Sequence, residues 1–509
     1  MADEGPTVTT PTEPKTHARH HRGVDALPSS SFETGRFGRM FRRLPVFEQQ
    51  LTHLEQLAQK MISSGRPVDN PEIPSGYTYL GQFIDHDITF DPVSSLQRQN
   101  DPDALHNFRT PRFDLDSLYG RGPADQPYLY ENVDDMTLMK LGEHVNVAGD
   151  EASAGPDLPR NEPRQRNGEE VFFGRALIGD PRNDENVIVS QLHLTILKFH
   201  NRVVKHVAET TPLRGDDLFK ESQRLVRWHY QWVVVHDFLR RIVGDGVVDD
   251  ILRPETYVAG GETVKILRTN LQFYRPREQA YMPVEFSVAA YRFGHSMIRG
   301  RYDINTFVKN ARGDAGPIPV FGKEGPPDEL SNLNGFRRLP PQWGIEWKFF
   351  FEMPGADIEP QPSLIIDPLL AGPLADLPRS VASDPPHSLA QRNLERGLRL
   401  GLPAGTTVAR AMGIEPLDAS QLDVGDISDE IALHPPLWYY VLKEAEVLAG
   451  ARKLGPVGGR IVAEVLLGIL DNDPLSYLSV EPAWQPEAPF ARDDGTFDMP
   501  QLIRFALEP

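Results

Sequence analysis

The sequence predicts a mainly α-helical protein with few short strands, folded as a single large domain. Three observations favour this fold class: long segments keep apolar residues at helical spacing, alternating strand patterns are few, and no internal repeat is present. With 509 residues, of which 39% are hydrophobic, the chain can bury a large core.

The predicted helices follow this apolar spacing along the chain. The first runs from Phe41 to Ile62 and starts near Pro45, because the first turn of a helix does not need the N–H that proline lacks. The other long helices are predicted over Asn186 to Ala208, Asp216 to Val243 (with Asp216 or Asp217 as N-cap) and Val284 to Ile298. Further helices are predicted near residues 386–400, 404–412, 428–448 and 457–470. Residues 91–110, 142–170 and 310–345 are rich in turn-forming residues and are predicted to be irregular.

The N-terminal residues 1–30 are polar and are predicted to form a disordered tail, with residues 31–509 as the domain. The tail histidines His17, His20 and His21 are interpreted as solvated. No uncharged apolar run of membrane-spanning length is present, and the start lacks the layout of a signal peptide. These features predict no integral membrane segment and leave the location open between the cytoplasm and export by a non-classical route.

Charge and cysteine content exclude several classes of protein. A net charge of −19 argues against nucleic acid or an anionic membrane surface as the main partner. The absence of cysteine excludes disulfides, thiolate metal sites and a thiolate-ligated haem.

The segment Gly81 to Asp87, together with Arg182 to Glu185, supplies a histidine base, a cation and carboxylates. On one helical turn Gln82 and His86 share a face. A neutral His86 can carry a proton between the two oxygens of hydrogen peroxide, and a fixed cation such as Arg182 stabilises the charge that develops on the departing oxygen. The set suits cleavage of peroxide over a haem iron. The alternative is a helix histidine that acidic neighbours hold protonated.

In these segments the chain resembles the peroxidase–cyclooxygenase superfamily, the animal-type haem peroxidases, and most closely its bacterial members. The resemblance covers the chain from about Tyr77 to Leu470, the motif-bearing core. Its motifs occur in the family's order: Gly81-Gln82 with Asp85-His86-Asp87, then Gly179-Asp180, Arg182 and Glu185, then Leu192-His193 and His200-Asn201-Arg202.

The resemblance implies haem b as cofactor and gives roles to three residues on its distal side. His86 is expected to be the acid–base histidine, Gln82 a hydrogen-bonding group of the pocket, and Arg182 the distal arginine. Together they imply a peroxidase fold and activity.

Two carboxylates are further expected to attach the haem. The resemblance implies that Asp85 and Glu185 form esters with haem methyl groups. The alternative is that both form salt bridges, for example with Arg299 or Arg396. Asn186 stands where myeloperoxidase-like members carry methionine, so their sulfonium link is expected to be absent.

The segment Tyr291 to His295 resembles the family's Arg-x-Gly-His element, which implies that His295 is the axial iron ligand. Arg292, one helical turn earlier, is expected to reach a haem propionate. The resemblance also implies that Asn393 accepts the Nδ1 proton of His295 and that Arg396 pairs with a propionate. A neutral amide leaves the imidazole less anionic than a carboxylate would, which favours strong oxidants and difficult substrates such as halides or thiocyanate. The alternative is a buried core histidine.

A calcium site is predicted in the alternating segment Thr110, Arg112, Asp114 and Asp116. Alternation places these residues on one side of an extended chain, where they offer the oxygen ligands that calcium prefers. The family binds calcium in this arrangement, with Arg112 contributing its backbone carbonyl and Asp87 joining from the distal segment. Animal members usually have serine at the position of Asp116, so tighter binding is expected here. The alternative is a solvated acidic turn.

The predicted function is a haem peroxidase that reduces hydrogen peroxide and oxidises halide, thiocyanate or phenolic donors through a ferryl intermediate, with a role in the response to oxidative stress. The first alternative is a fatty-acid dioxygenase of the same superfamily. Against it, Arg292 stands where those enzymes carry a radical-forming tyrosine, Tyr291 lies one residue off, and they generally lack the arginine at position 182. The second alternative is a non-catalytic haem-binding or adhesion protein, suggested by the Arg-Gly-Asp tripeptides at 214–216 and 312–314.

Overall fold

The structure is a computed structural model that describes residues 35–62, 65, 67–90, 101–102, 105–131, 136–142, 157–161, 165–166, 169–170, 174–259, 262–322, 331–339, 342–378, 381–382 and 384–508. The predicted tail with its three histidines lies outside the described residues, as does most of the predicted loop at 142–170.

The described part of the chain is mainly α-helical, as predicted. The helices are α1 (Leu51–Lys60), α2 (Gly76–Ile88), α3 (Asp116–Tyr119), α4 (Val187–Thr210), α5 (Gly215–Val233), α6 (Arg240–Val243), α7 (Asp245–Ile251), α8 (Thr306–Arg312), α9 (Leu389–Arg399), α10 (Gly405–Ala411), α11 (Ala419–Leu422), α12 (Asp429–Leu433), α13 (Leu437–Ala449), α14 (Pro456–Asp471), α15 (Tyr477–Val480) and α16 (Met499–Leu507). No helix among the residues listed above has the length and apolar character needed to cross a membrane.

The strands are short, apart from one hairpin that was not predicted. They are β1 (Gly35–Gly38), β2 (Asp69–Pro74), β3 (His106–Asn107), β4 (Gln165–Arg166), β5 (Glu169–Glu170), β6 (Leu252–Ala259), β7 (Glu262–Thr269), β8 (Met282–Pro283), β9 (Arg301–Tyr302), β10 (Ile318–Pro319) and β11 (Pro362–Leu364). Strands β6 and β7 form the antiparallel hairpin, whereas β1 pairs antiparallel with β3 and parallel with β8.

Helix α1 begins at Leu51, so the prediction of a start near Pro45 was wrong. The preceding segment uses its backbone in tertiary contacts instead. The N–H groups of Met40 and Phe41 donate to the carboxylate of Glu285, at 3.0 Å each, and the N–H of Phe47 donates to a distant carbonyl. These bonds satisfy the backbone without a helix.

Helix α5 begins one residue before its predicted start. Its N-cap is Arg214, so the prediction of Asp216 or Asp217 as N-cap was wrong. Both aspartates lie in the first turn, where negative charge interacts favourably with the helix N-terminus. The helix continues through a π-helical segment, Val234–Leu239, into α6.

The predicted helix from Val284 to Ile298 is irregular. A π-helical segment, Glu285–Ala289, is followed by a 3-10 segment, Ala290–His295, with φ −127° and ψ −79° at Ala289 between them. The carbonyl of Ser287 accepts a hydrogen bond from the guanidinium of Arg292, so this carbonyl does not take part in the regular hydrogen bonds of a helix. The predicted helix at 428–448 is likewise divided, because Pro435 and Pro436 separate α12 from α13.

Helices α2 and α4 form the centre of the fold beside the candidate site. Helix α2 is buried along nearly its whole length, and α4 packs against α2, α5 and α16. The side chain of Asn186 caps α4 by accepting from the N–H of Val189. Each large apolar side chain buried here, such as Phe83 or Phe199, contributes about 1.5–3 kcal/mol. This packing fixes the position of α2 and therefore of the polar residues that it carries.

Candidate active site

A cavity of about 170 Å³ lies between α2, the turn before α4 and the irregular segment 285–295. Both imidazoles singled out in the sequence, those of His86 and His295, border this one space. The other predicted residues that line it are Gln82, Asp85, Glu185 and Arg292.

Helical spacing explains which side chains of α2 face the cavity. Gln82, Asp85 and His86 lie on one stripe of the helix and line the space. Asp87 is rotated away by about a hundred degrees, is fully buried and faces the segment 114–117 instead. One helix therefore serves two different sites.

His86 is held as a neutral base. Its Nδ1 lies 2.8 Å from Oδ1 of Asn183, an acceptor, so the ring donates its proton there and presents Nε2 as the basic atom. Burial, followed by the positive charge of Arg182, lowers the pKa of His86 to about 3. This low pKa argues against the alternative of a histidine held protonated by acidic neighbours, although Glu185 lies 3.8 Å from Nε2.

Asn183, which was not among the predicted site residues, bridges two buried histidines. Its Oδ1 accepts from His86, and its Nδ2 donates to Nδ1 of His193 at 3.0 Å. Burial also lowers the pKa of His193 to about 3, so that ring is a neutral acceptor. The position of Asn183 between Arg182 and Glu185 was the only signal in the sequence, and the direction of its side chain depends on the short turn Pro181–Asp184.

Arg182, predicted to be the distal arginine, is not among the residues that line the cavity. Its guanidinium donates to Asp180 at 2.8 Å and to the backbone carbonyls of His86 and Thr89 at the end of α2. Asp180 is fully buried and also pairs with Arg109 at 2.7 Å. Although burial opposes ionisation, the charges of Arg182 and Arg109 lower the pKa of Asp180. This buried carboxylate draws the guanidinium away from the cavity.

Glu185 and Asp85 border the cavity without an arginine partner among the described residues. Burial raises the pKa of Glu185 to about 7 and also raises that of Asp85. The amide of Gln82 donates to Glu185 and accepts from Asn186 at 3.1 Å, while Asp85 accepts from the hydroxyl of Thr89 at 3.0 Å.

The salt bridges considered as an alternative for these carboxylates involve Arg299 and Arg396. Arg299 instead pairs with Asp69, and neither arginine lines the cavity. Because Arg396 lies outside the lining, the structure does not bring it to the place where a propionate was expected.

On the opposite side, His295 contacts Asn393 in an orientation that differs from the expected one. The amide Nδ2, rather than Oδ1, faces Nδ1 of His295 at 2.8 Å. The amide oxygen instead accepts from Nη1 of Arg292 at 2.6 Å, and Nε of the same guanidinium donates to the carbonyl of Ser287 at 3.0 Å. The permanent charge of Arg292 takes the amide oxygen and so reverses the predicted bond. Burial, followed by that charge, lowers the pKa of His295 to about 3.

The acidic residues predicted to bind calcium are brought together. One carboxylate oxygen from each of Asp87, Asp114 and Asp116 lies within 4.8 Å of the others. The hydroxyl of Thr110 donates to Asp114 at 2.8 Å. The guanidinium of Arg112 points away to Asp473, 3.4 Å distant, which is compatible with a contribution from its backbone alone. The alternative of a solvated acidic turn is wrong, because Asp87 and Asp114 are buried and Asp116 is largely so.

The geometry of this cluster suits a divalent cation. Burial raises the pKa of Asp114 to about 6 and that of Asp116 to about 8, although Arg109 pairs with Asp116 at 3.3 Å. Leu115 adopts a left-handed conformation, φ 57° and ψ 37°, which lets the aspartates on either side of it converge. Its N–H donates to Asp87 at 3.3 Å.

Comparison with known proteins agrees with this geometry. The family described as Animal haem peroxidase matches residues 94–320. Peroxidasin of Drosophila melanogaster is 24% identical over 73% of this chain, and a peroxidase-like protein of Margaritifera margaritifera is 25% identical over 49% of it. Within residues 94–320 the chain is therefore similar to animal haem peroxidases. It spans only 23% and 34% of the lengths of these two relatives.

Solved structures of a peroxidase and of a dioxygenase share the fold of this chain. Peroxidase A from Dictyostelium discoideum superposes with a TM-score of 0.59 at 16% identity, covering 89% of this chain and 90% of that one. A fatty acid alpha-dioxygenase from Arabidopsis thaliana superposes with a TM-score of 0.55 at 14% identity, covering 89% and 75%. The predicted mainly α fold is confirmed, and the fold by itself does not separate the two reactions.

Proposed function

We propose that this protein is a member of the animal haem peroxidase family, binds haem b between His86 and His295 and uses it to reduce hydrogen peroxide. The observation that carries the proposal is that both imidazoles border one cavity, together with two half-buried carboxylates that form no ion pair with an arginine among the described residues. The donor set fits the group: a nitrogen ligand for iron on one side, a neutral base on the other, and acids at the edge.

Several residues would hold this group. His295 would bind the iron through Nε2. Arg292 would pair with one haem propionate, and Arg396 would do the same after a movement into the cavity. Asp85 and Glu185 would form the ester links. When bound, haem supplies the iron that takes up the oxidising equivalents of peroxide. The absence of methionine at Asn186 leaves no sulfonium link to form.

The contacts of Asn393 suggest which rearrangement would allow His295 to bind iron. A histidine that binds iron through Nε2 carries its proton on Nδ1 and needs an acceptor there. Rotation of the Asn393 amide would present Oδ1 to His295, but the amide nitrogen would then face the guanidinium of Arg292. Arg292 would therefore leave Asn393 when a propionate offers it a better acceptor. Binding of the group and correct orientation of its ligand are coupled in this way.

On the distal side, the chain supplies proton transfer. His86 accepts a proton from peroxide at Nε2 and returns it to the departing oxygen, while Asn183 keeps Nδ1 occupied. Gln82, also in the lining, orients the substrate. Arg182 acts through the charge that helps to keep His86 neutral, since its guanidinium contacts Asp180 and carbonyls of α2 rather than the cavity.

We further propose that Asp87, Asp114 and Asp116 bind calcium, with the hydroxyl of Thr110 and the backbone carbonyl of Arg112 completing the oxygen ligands. The cation would neutralise a cluster whose burial otherwise opposes ionisation. Because Asp87 follows His86 on α2, calcium would also hold the distal histidine in place.

The reducing substrates proposed are halide, thiocyanate or small phenols. A fatty-acid dioxygenase is the second candidate, favoured by one observation: Tyr291 lines the cavity, with its hydroxyl donating to the carbonyl of Gly81 at 3.2 Å. An adhesion role is not proposed, because the first Arg-Gly-Asp tripeptide forms the start of α5. The closer resemblance to bacterial members stays a prediction of the sequence.

Stopped-flow absorbance tests the proposal on the purified, haem-loaded protein. Peroxide is expected to change the Soret band within milliseconds to seconds, and iodide or a phenol should restore it. Oxygen uptake with linoleate, in the absence of such restoration, would favour the dioxygenase, and a Soret band that peroxide leaves unchanged would contradict both.

Acid–acetone extraction tests the ester links. Haem is expected to stay with the wild-type protein and to be partly released from Asp85→Asn and from Glu185→Gln. Free extraction from the wild type would contradict both attachment points. Asp69→Asn, which alters an exposed acid outside the cavity, is the control.

A further inference from the structure

A second concave site, the arginine groove, lies apart from the candidate active site. It has a volume of about 940 Å³, and its two walls are residues 36–43 and residues 273–281. Half of the residues that line it are arginines: Arg36, Arg39, Arg42, Arg43, Arg275 and Arg277. Pairing of β1 with β8, where Phe37 aligns with Met282, holds the two walls side by side.

The first wall is fixed by contacts beneath it. Arg39 donates to the carbonyls of Leu400 and Gly401 at 2.7 and 2.6 Å, and the carboxylate of Glu285 accepts from the backbone of Met40 and Phe41. Arg39 therefore has a structural role. The extended wall presents its remaining arginines on a supported backbone.

The other five arginines are exposed, and within the described ranges none of them forms an ion pair with an acid. Arg275 donates from Nε to the carbonyl of Gln272, which leaves its charge uncompensated. The acid in the lining is Glu278. Five like charges repel one another, and they do so here in a chain whose net charge is −19. Such a concentration of positive charge indicates an anionic ligand.

The guanidinium groups and their placement in the groove indicate which class of anion would bind. Guanidinium groups bind phosphate through paired hydrogen bonds, and the arginines stand on both walls of the groove. A single phosphate group would contact the arginines of one wall only. A ligand that contacts the arginines of both walls therefore needs at least two phosphate groups. Phe273 and Tyr281, in the second wall, add ring surface to the lining.

The net charge of the whole chain limits the size of the ligand. Screening extends over only about 8 Å at physiological salt, so a compact anion inside the groove is attracted by the nearby arginines. A long polyanion would extend over the acidic remainder of the surface and be repelled there. We infer that the arginine groove binds a small molecule that carries two or more phosphate groups. This inference does not depend on the proposed peroxidase function.

Isothermal titration calorimetry of the full, haem-loaded and calcium-saturated protein tests the inference, with fructose 1,6-bisphosphate as the probe. One molecule is expected to bind per chain, and fructose 6-phosphate should bind at least tenfold more weakly because it engages one wall only. The triple variant Arg42→Gln, Arg43→Gln and Arg277→Gln, which removes charge from both walls, should weaken binding of the bisphosphate by at least about tenfold, as expected when charge-assisted bonds to phosphate are lost.

The matched control is Arg253→Gln, Arg268→Gln and Arg504→Gln. These three arginines are exposed and lie outside the groove, so the variant loses the same charge elsewhere. It should bind the bisphosphate as the wild type does. A third variant with lysine at positions 42, 43 and 277 preserves charge but not the paired geometry and should bind with intermediate affinity.

Three results would overturn the inference: no saturable binding of the bisphosphate, equal affinity for the two sugar phosphates, or an equal loss in the control variant. Tighter binding of a single-stranded oligonucleotide or of anionic vesicles than of the bisphosphate at physiological salt would also overturn it. Peroxide turnover should be the same in all three variants, so failure of this inference is distinguishable from failure of the proposed function.

Discussion

The two sides of the cavity are organised differently. On the distal side, His86, Asn183 and His193 form an unbroken chain of hydrogen bonds between buried groups, and Asp180 fixes the neighbouring arginine. On the proximal side, His295 contacts one amide, which Arg292 shares. His86 is thus oriented by the protein alone, whereas the proposed binding of iron by His295 would need an exchange of partners that a bound propionate would complete.

The difference follows from local backbone structure. His86 lies near the end of the regular helix α2, which packs against α4 and also carries Asp87. His295 ends an irregular segment of π and 3-10 turns whose backbone carbonyl at Ser287 is already bound by a side chain. A regular, packed helix fixes side-chain directions more strongly than a segment with interrupted hydrogen bonds.

The largest effects are expected from the two histidines, and they should differ in kind. His295→Ala should abolish the Soret band of the purified protein, because the iron loses its axial ligand. His86→Ala should retain the Soret band but slow the reaction with peroxide by about 10²–10⁴-fold, the usual contribution of general acid–base catalysis. Absorbance spectra and stopped-flow rates measure both. Equal loss of haem in the two variants would contradict the assignment of sides.

Removal of calcium should affect the distal side more than the proximal side. A cation present at a thousand times its dissociation constant stabilises the folded state by about 4 kcal/mol, so chelation should lower the melting temperature by several degrees. Asp116→Asn should reproduce part of this loss, whereas the exposed Asp494→Asn should not. Calorimetry with and without chelator measures the shift. A melting temperature unchanged by chelator would contradict the calcium site.

Replacements of Asn183 and Asn393, the amide residues that contact the two histidines, are expected to have smaller effects. They should distinguish the distal side of the cavity from the proximal side. Asn183→Ala should reduce the peroxide rate by about tenfold, since an unsatisfied buried donor costs roughly 1–3 kcal/mol, and should leave the reduction potential of the iron unchanged. Asn393→Asp should lower that potential, because a carboxylate makes the imidazole a stronger donor. Spectroelectrochemistry and stopped-flow rates separate the two. A potential shift in Asn183→Ala alone would reverse the proposed roles.

Much of the site could be predicted because its residues are close in sequence on regular elements. Helical spacing placed Gln82, Asp85 and His86 on one face, and alternation placed Asp114 and Asp116 together. The partners of these residues could not be predicted in the same way. The bond from His86 to Asn183 spans 97 positions, and the turn that aims Asn183 has no periodic pattern.

Errors in the predicted elements have a related cause. The segment before α1 has helical spacing, yet its N–H groups bond to Glu285 and to a distant carbonyl. Arg182 stands at the expected position, yet the buried carboxylate of Asp180 determines where its guanidinium points. In both cases a buried carboxylate, distant in sequence for Glu285 and adjacent for Asp180, offers hydrogen bonds that the helical pattern does not include.

The amino-acid sequence by itself determined the helical fold, the choice of His86 and His295 as site residues, and the cluster of acidic residues. Periodic spacing and residue chemistry act over a few neighbouring positions, so these features could be recognised locally. Only the tertiary structure decided which way Arg182 and the Asn393 amide point, and only it brought six arginines from two distant segments into one groove. Those outcomes depend on competition among buried charges and on strand pairing, which no local pattern contains.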